Sequence, residues 1–292
     1  MRHLHVPPEL LIIGAALSVQ FGAGTASTLL RDHSPITVVA LRLVLGAALL
    51  TLVRRPRAPV TGRSGWRNAA LLALVFIGMN SAFYLALSRI PLGVAVTLEF
   101  WGPLAVAIAG SRRLRDLVWV VLAAIGIWIL AGGQLGADDP IGVGAALAAG
   151  AGWALFIIIG SRVGRDWPDG RGLNAALLMA AVMVAPLALL AGDGAAVLSE
   201  PGTLWGGLVI AAFSSAIPWS LELRALRRLP GRIYGVLTSV EPAFAALVGF
   251  LLLDQLLHPA ELLAIAMVAV ASAGASITAR RVSANPGELE AA

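Results

Sequence analysis

Residues 81–110 read SAFYLALSRIPLGVAVTLEFWGPLAVAIAG, and residues 220–249 read SLELRALRRLPGRIYGVLTSVEPAFAALVG. Aligned without gaps, nine pairs are identical. Among them are Arg89 with Arg228, Pro91 with Pro230, Leu98 with Leu237, Pro103 with Pro242 and Gly110 with Gly249. An Ala/Leu-rich chain matches itself by chance at some positions, but paired Arg and Pro positions are harder to obtain that way. A fainter echo joins Gly14-Ala15-Ala16-Leu17 to Gly144-Ala145-Ala146-Leu147. The chain is therefore read as two repeats, 1–138 and 139–279, followed by a short tail at 280–292.

Composition decides what kind of helix or strand these repeats contain. Of 292 residues, 59% are hydrophobic and only 13% charged, where soluble chains carry about 25% charged residues. A soluble core of this length still needs a charged shell, so a soluble enzyme is excluded and an all-α polytopic membrane protein is expected. All 21 basic residues are Arg, and the net charge is +5. There is no cysteine, hence no disulfide or thiol chemistry.

A membrane helix needs about 20 apolar residues. Ten runs qualify: 9–29, 36–53, 68–88, 92–110, 116–133, 141–160, 174–191, 204–223, 233–253 and 259–278. The first is longer than a signal-peptide core and contains Gln20 and Gly24, which favours a retained helix. Arginine tests the count. With loops assigned alternately to two sides, 18 of the 21 Arg fall on the side of the N-terminus. Arg31 and Arg89 fall opposite, and Arg42 lies within a span. The positive-inside rule then puts both termini in the cytoplasm. The basic clusters are topology signals, and no nucleic-acid partner is expected.

Five helices per repeat is an odd number, so the second repeat enters the membrane in the opposite direction. Two inverted five-helix halves give ten transmembrane helices and the architecture of many secondary transporters, in which one half rocks against the other around a midplane site.

Charged residues inside a bilayer are costly and are functional suspects by default. Arg42, Glu99 and Glu241 qualify. Glu222 sits near the cytoplasmic end of its span, beside Arg224, where snorkelling and an interfacial pair would account for it. At about 1.5 Å per residue, Arg42 and Glu99 lie roughly 9–10 Å below the outer boundary. Gln20 and Asn80 come from two further spans at similar depth. The four polar groups are expected to share a cavity, where Arg42 and Glu99 either pair or hold the carboxylate and ammonium groups of a substrate. Glu241 stands immediately before Pro242, and Glu99 four residues before Pro103. Proline removes a backbone donor and disturbs the preceding turn, so each repeat carries a carboxylate beside a helix break. Glu99, Pro103, Glu241 and Pro242 are thus candidates for hinge and proton-coupling roles. Ala95 and Gly102 form a small-residue stripe suited to close helix approach. Phe83, Tyr84, Trp101 and Trp219 are candidate cavity aromatics, with Tyr84 favoured because it lies one turn from Asn80.

These residues fall within runs that carry a family likeness. In the first half the runs are Gly78-Met79-Asn80, Phe83-Tyr84-Leu85, Pro91-Leu92-Gly93, Leu98-Glu99-Phe100 and Gly102-Pro103-Leu104-Ala105. Ser220-Leu221-Glu222, Arg228-Leu229-Pro230 and Glu241-Pro242-Ala243 carry it in the second, together with Gln20 and Ala40-Leu41-Arg42-Leu43. The chain resembles the threonine/homoserine exporters of the EamA-type branch of the drug/metabolite transporter (DMT) superfamily. The resemblance implies a multi-pass protein of the bacterial inner (plasma) membrane that exports small amino acids, driven by the proton gradient. Two positions depart from the family pattern. Phe21 follows Gln20 where a small residue is usual, and Trp101 stands in the Glu99 motif where a smaller side chain is usual. Both are expected to shrink the cavity or alter its preference.

Other cargo remains open: a drug, a nucleoside or purine, an aromatic amino acid or a polyamine. An intramembrane enzyme would need a positioned nucleophile and base, or a metal cluster. All four His lie at or beyond predicted helix ends, and Ser214-Ser215 has no neighbouring base. No enzyme activity, metal or cofactor is therefore expected. A channel suits single polar sites on inverted halves less well than a carrier does. The expected partners are a small-molecule substrate, protons and the lipid bilayer, with homodimerisation open.

Overall fold

The computed structural model describes residues 7–53, 62–109, 117–132, 139–167, 171–190, 193–226 and 237–279, and all regular structure among them is helical. In the first half, α1 spans Pro8–Leu29, α2 Pro35–Val53 and α3 Arg63–Leu87. Next come α4 (Leu92–Glu99), α5 (Trp101–Ala109) and α6 (Leu117–Gly132). In the second half, α7 spans Pro140–Asp166, α8 Gly172–Leu190 and the single turn α9 Gly194–Val197. A long rod follows, made of α10 (Pro201–Ala211), a π-helical turn (Ala212–Ala216) and α11 (Ile217–Leu226). The described chain closes with α12 (Glu241–Leu253) and α13 (Pro259–Ala279).

Six helices are long and apolar enough to cross a membrane, and four shorter apolar helices accompany them among the described residues. Leucine, alanine and valine fill these helices on every side, as expected where the solvent is lipid. Leu190, Val182, Trp128 and Trp205 are largely exposed on the outer surface of the bundle. Proline opens several helices: Pro8, Pro140, Pro201 and Pro242 all sit in the first turn, where the missing N–H would have had no intrahelical partner.

Interior prolines explain the two breaks. Pro103 has no N–H to offer the Glu99 carbonyl, and the expected single span 92–110 is divided at Phe100 into α4 and α5. Pro242 likewise has no N–H for the Thr238 carbonyl. There α12 begins at Glu241, after a turn at Ser239-Val240. The first residues of the expected span 233–253 lie outside the described residues, as do the expected tail 280–292 and Arg228-Leu229-Pro230.

Packing brings distant segments together. Helix α1 lies against α10, the π turn, α11 and α12, while α7 lies against α3, α4 and α5. Helix α2 packs on α8, α4 on α12 and α6 on α13. The backbones approach most closely where glycines face them. A Cβ on Gly102 would overlap the Gly150 carbonyl, and one on Gly22 would overlap the Ser214 hydroxyl. The Gly102–Gly150 crossing fulfils the packing role expected of the small-residue stripe.

Polar links tie together the segments between helices at each end of the bundle. At one end, Asp193 accepts from the Ser34 N–H (2.7 Å) and the Thr37 hydroxyl (2.7 Å). Arg89 pairs with Asp139 at 2.8 Å, and Gln255 accepts from the Leu92 N–H at 2.9 Å. Asp139 also caps α7 by accepting from the Ile141 and Gly142 N–H groups. The Gly142 N–H and the Arg89 guanidinium hold its carboxyl below the usual range. At the opposite end, Asn68 donates to Asp166 at 2.6 Å, and Trp66 meets Trp167 edge to face at 5.1 Å.

Candidate functional site

Between α1, α2, α3, α4, α7, α11 and α12 lies a cavity of about 200 Å³. Of the residues singled out in the sequence, Gln20, Arg42, Asn80, Phe83, Glu99, Trp219 and Glu241 line it. Their placement follows from local structure. Gln20 is carried on a small-residue stretch of α1, between buried Ser18 and Gly22. Glu99 is the last residue of α4 and Glu241 the first of α12, so the two breaks bring a carboxylate from each half to one pocket. Both acids are 8% exposed.

The polar contacts are sparse. Gln20 Nε2 approaches Glu241 Oε2 at 3.5 Å, and Gln20 Oε1 has no protein partner. Asn80 turns its Nδ2 back to the Phe76 carbonyl at 2.7 Å. Arg42 donates through Nη2 to the Ser214 carbonyl at 3.4 Å and stands 5.8 Å above the Tyr84 ring centroid. Among the described residues no ion pair of 4 Å or less joins Arg42 to Glu99. A guanidinium with five donors and one long backbone contact retains most of its capacity for an anionic ligand.

Several expected residues stand elsewhere. Tyr84 is fully buried behind the wall, beneath Arg42, and Phe83 lines the cavity in its place. Trp101 points away and donates its indole N–H to the Leu147 carbonyl on α7 at 2.8 Å. Phe21 packs against Phe213 with ring centroids 4.8 Å apart. Neither of the two departures from the family pattern lines the pocket, so the expected narrowing by Phe21 and Trp101 is not what the structure shows. Pro103 and Pro242 set the breaks without lining the site.

Other lining residues do not stand out in the sequence. Glu222, read there as interfacial, faces the cavity, as do Ser214, Phe76, Trp153 and Phe156. Phe76 meets Phe156 at 5.4 Å and Trp219 at 6.3 Å, forming an aromatic wall. Phe76 lies one turn before Asn80 and is detectable by helical spacing. Ser214 depends on the π turn, whose signal in the sequence is Pro218, which has no N–H to offer the Ser214 carbonyl.

Apolar helices enclosing a charged pocket are the architecture of a membrane transporter. Comparison with known proteins agrees. Residues 140–277 match the EamA-like transporter family. The chain is 40% identical over 285 residues to the threonine/homoserine exporter RhtA of Escherichia coli K12, covering 94% of this chain and 93% of that protein. It shares 40% identity over 283 residues with the RhtA protein of Salmonella typhimurium LT2, covering 94% and 92%. An uncharacterized transporter of Bacillus subtilis, YwfM, is 26% identical over 257 residues, covering 84% of this chain and 86% of that protein. One crystal structure shares the fold with a TM-score of 0.60 at 18% identity, covering 94% of this chain and 99% of that one. The chain belongs to the EamA-like transporter family, and is a multi-pass membrane transporter and not an enzyme.

Proposed function

We propose that this protein exports small hydroxylated amino acids, threonine and homoserine foremost, across the bacterial inner membrane in exchange for protons. The cavity carries the proposal. It presents one guanidinium and the carboxyl groups of Glu99, Glu222 and Glu241 within about 200 Å³. Opposite charges in a small pocket suit a zwitterion, with Arg42 holding the α-carboxylate and Glu99 the ammonium group. Drug-sized ligands occupy pockets of roughly 300–1,000 Å³, so the volume favours a small cargo. The relatives named as threonine/homoserine exporters support the same substrate class.

The mechanism in this reading is alternating access by two inverted five-helix halves, 1–138 and 139–279. The helix packing supports it. Exchanging the halves turns the contacts of α1 with α10–α12 into those of α7 with α3–α5, and leaves the pairs α2–α8, α4–α12 and α6–α13 in place. In this reading α4 and α5 count as one span and α10 to α11 as another, and the described helices then make up ten. The segments around Arg31 and Arg89 then face outward, and the Arg-rich side with both termini faces the cytoplasm. Glu241, at a helix break, is assigned the proton.

Counterflow in reconstituted vesicles, with a panel of labelled amino acids and with or without a pH gradient, tests the proposal. Saturable threonine exchange, stimulated on the export side by a pH gradient, is expected. Absence of amino-acid exchange overturns it. The aromatic wall of Phe76, Phe156 and Trp219 favours a second reading, an aromatic amino-acid cargo, which the same panel decides.

A further inference from the structure

Two hollows follow one another along the same helices. The cavity reaches Ala23 on α1 and Phe83 on α3. One turn further along each helix, Ser27 and Leu87 line a second, open depression of about 610 Å³, at the end of the bundle that carries Arg31 and Arg89. Beside this one-turn layer α4 crosses α12. Glu99 and Glu241 meet the cavity at one end of these helices, and Leu92 and Leu253 stand at the other. The crossing is close, for a Cβ on Gly93 would stand 3.0 Å from the Ala246 Cα.

One side-chain bond spans it. Pro91, the N-cap of α4, has no side-chain acceptor, so the first N–H groups of that helix need partners from elsewhere. Gln255 Oε1 accepts from the Leu92 N–H at 2.9 Å. Asp254 places it there. Its left-handed backbone (φ 54, ψ 29) ends α12 and turns the chain back, with the Gln255 N–H on the Gly249 carbonyl at 3.0 Å. Positive φ is uncommon away from glycine, and Asp tolerates it better than most residues. Gly249 leaves room for the amide, since a Cβ there would stand 2.7 Å from Gln255 Oε1. The helices around the cavity pack as two groups, α1 with α10 to α12, and α3 to α5 with α7. Other polar links at this end do not join one group to the other. Arg89 with Asp139 ties the segment before α4 to the start of α7, and His33 with Thr203 ties the segment after α1 to α10. Asp193 holds the start of α2 to the segment before α9. Among the described residues, Gln255 with Leu92 is the polar link at this end that crosses between the groups.

We propose that Gln255 is the latch on the outer side of the transport path. Its bond to Leu92 holds α4 against α12, and its release joins the cavity to the depression, through which the cargo leaves. This rests on the outward orientation of Arg31 and Arg89 proposed above, and not on the identity of the cargo. Loss of the latch shifts the balance from the closed toward the open form.

Cysteine accessibility tests it. The chain has no cysteine of its own, so a single introduced thiol reports without background. Ala23→Cys samples the cavity and Ser27→Cys the depression, each treated in intact cells with a membrane-impermeant thiosulfonate. With Gln255 in place, Ser27→Cys is expected to react at least about tenfold faster than Ala23→Cys, because a minor open form is populated to about 10% at most. Gln255→Met keeps the chain length and replaces the amide oxygen with a thioether, a weak acceptor. It is expected to speed outside labelling of Ala23→Cys by about two- to tenfold, the weight of one hydrogen bond. Labelling of the same thiol from the cytoplasmic face, in inverted vesicles, does not rise. Gln255→Glu retains an acceptor and keeps outside labelling slow. An unchanged outside rate in folded Gln255→Met protein overturns the proposal. So does a rate that rises from both faces, which marks general loosening. Equal outside rates for Ser27→Cys and Ala23→Cys also overturn it, with Gln255 untouched. Reaction of Ser27→Cys from the cytoplasmic face alone defeats the proposed orientation, and the outer placement of the latch with it.

Discussion

Gln20 on α1 and Glu241 on α12 meet across the cavity with Nε2 3.5 Å from Oε2. This is long for a hydrogen bond, whose usual N···O distance is about 2.9–3.0 Å. The pair is aligned but not tightly locked, which suits a carboxylate that must change its protonation during a cycle. Glu241→Gln keeps the shape and removes the charge. If Glu241 carries the proton, exchange of threonine between equal pools survives in this variant, since it needs no net proton movement. Export driven by a pH gradient is lost. Counterflow and gradient-driven flux, measured on the same vesicles, separate the two. Loss of both activities in folded protein would remove the assignment.

Glu99 predicts the opposite pattern. It lines the pocket at the end of α4 and is assigned the substrate ammonium group. A hydrogen bond to a charged group is worth about 1.5–3 kcal/mol, a ten- to hundredfold change in affinity. Glu99→Gln should therefore weaken counterflow as well as driven export, raising the threonine concentration that each needs by about ten- to a hundredfold, while the protein remains folded in the membrane. Wild-type flux in that variant would sink the role.

Much of this is legible in the sequence, for physical reasons. Burying Arg42, Glu99 and Glu241 in lipid is so costly that their presence in apolar runs alone marks the cavity. The break at Glu99 follows from the missing N–H of Pro103. What the sequence does not reveal depends on side-chain direction across helices. Tyr84 is adjacent in sequence to Phe83, yet one is behind the wall and the other in it. A helix advances about 100° per residue, so an error of one position changes the face. Trp101 follows the break after Glu99, and its indole is turned to the Leu147 carbonyl on α7 and not to the cavity. Ser214 reaches the site through the π turn before Pro218, and plain helical spacing assumes there is none.

Close backbone contact makes a stability prediction independent of transport. A Cβ on Gly102 would overlap the Gly150 carbonyl, and one on Gly150 would overlap the Trp101 indole and the Glu99 carbonyl. Backbone cannot retreat as a flexible side chain can. Gly102→Val should therefore cost at least as much as ordinary overpacking, about 1–3 kcal/mol, and it should lower the melting temperature of the purified protein. Gly144 also lies within a helix, but a Cβ there meets nothing within 4 Å. Gly144→Val is the control and should melt near the wild type. Equal melting of the two variants would show that α5 and α7 do not cross at these glycines.

The network around Asp193 makes a pH prediction. Burial pushes the Asp193 carboxyl up, but the Ser34 N–H and the Thr37 and Ser34 hydroxyls outweigh it, and the group ends below its usual value. A carboxyl depressed in the folded state contributes stability that is fully present above its unfolded pKa, about 3.9. That contribution disappears as the pH falls through the lower, folded value. The link it supports joins the start of α2 to the segment before α9, so its loss should loosen that end of the bundle. Asp193→Asn should melt lower than wild type at neutral pH. The gap between the two melting curves should narrow as the pH is taken below about 4, because the wild type is then losing what the variant already lacks. Thermal melts in detergent across this range provide the measurement. A gap that stays constant, or widens, at acid pH would mean that Asp193 supports the fold without being linked to protonation.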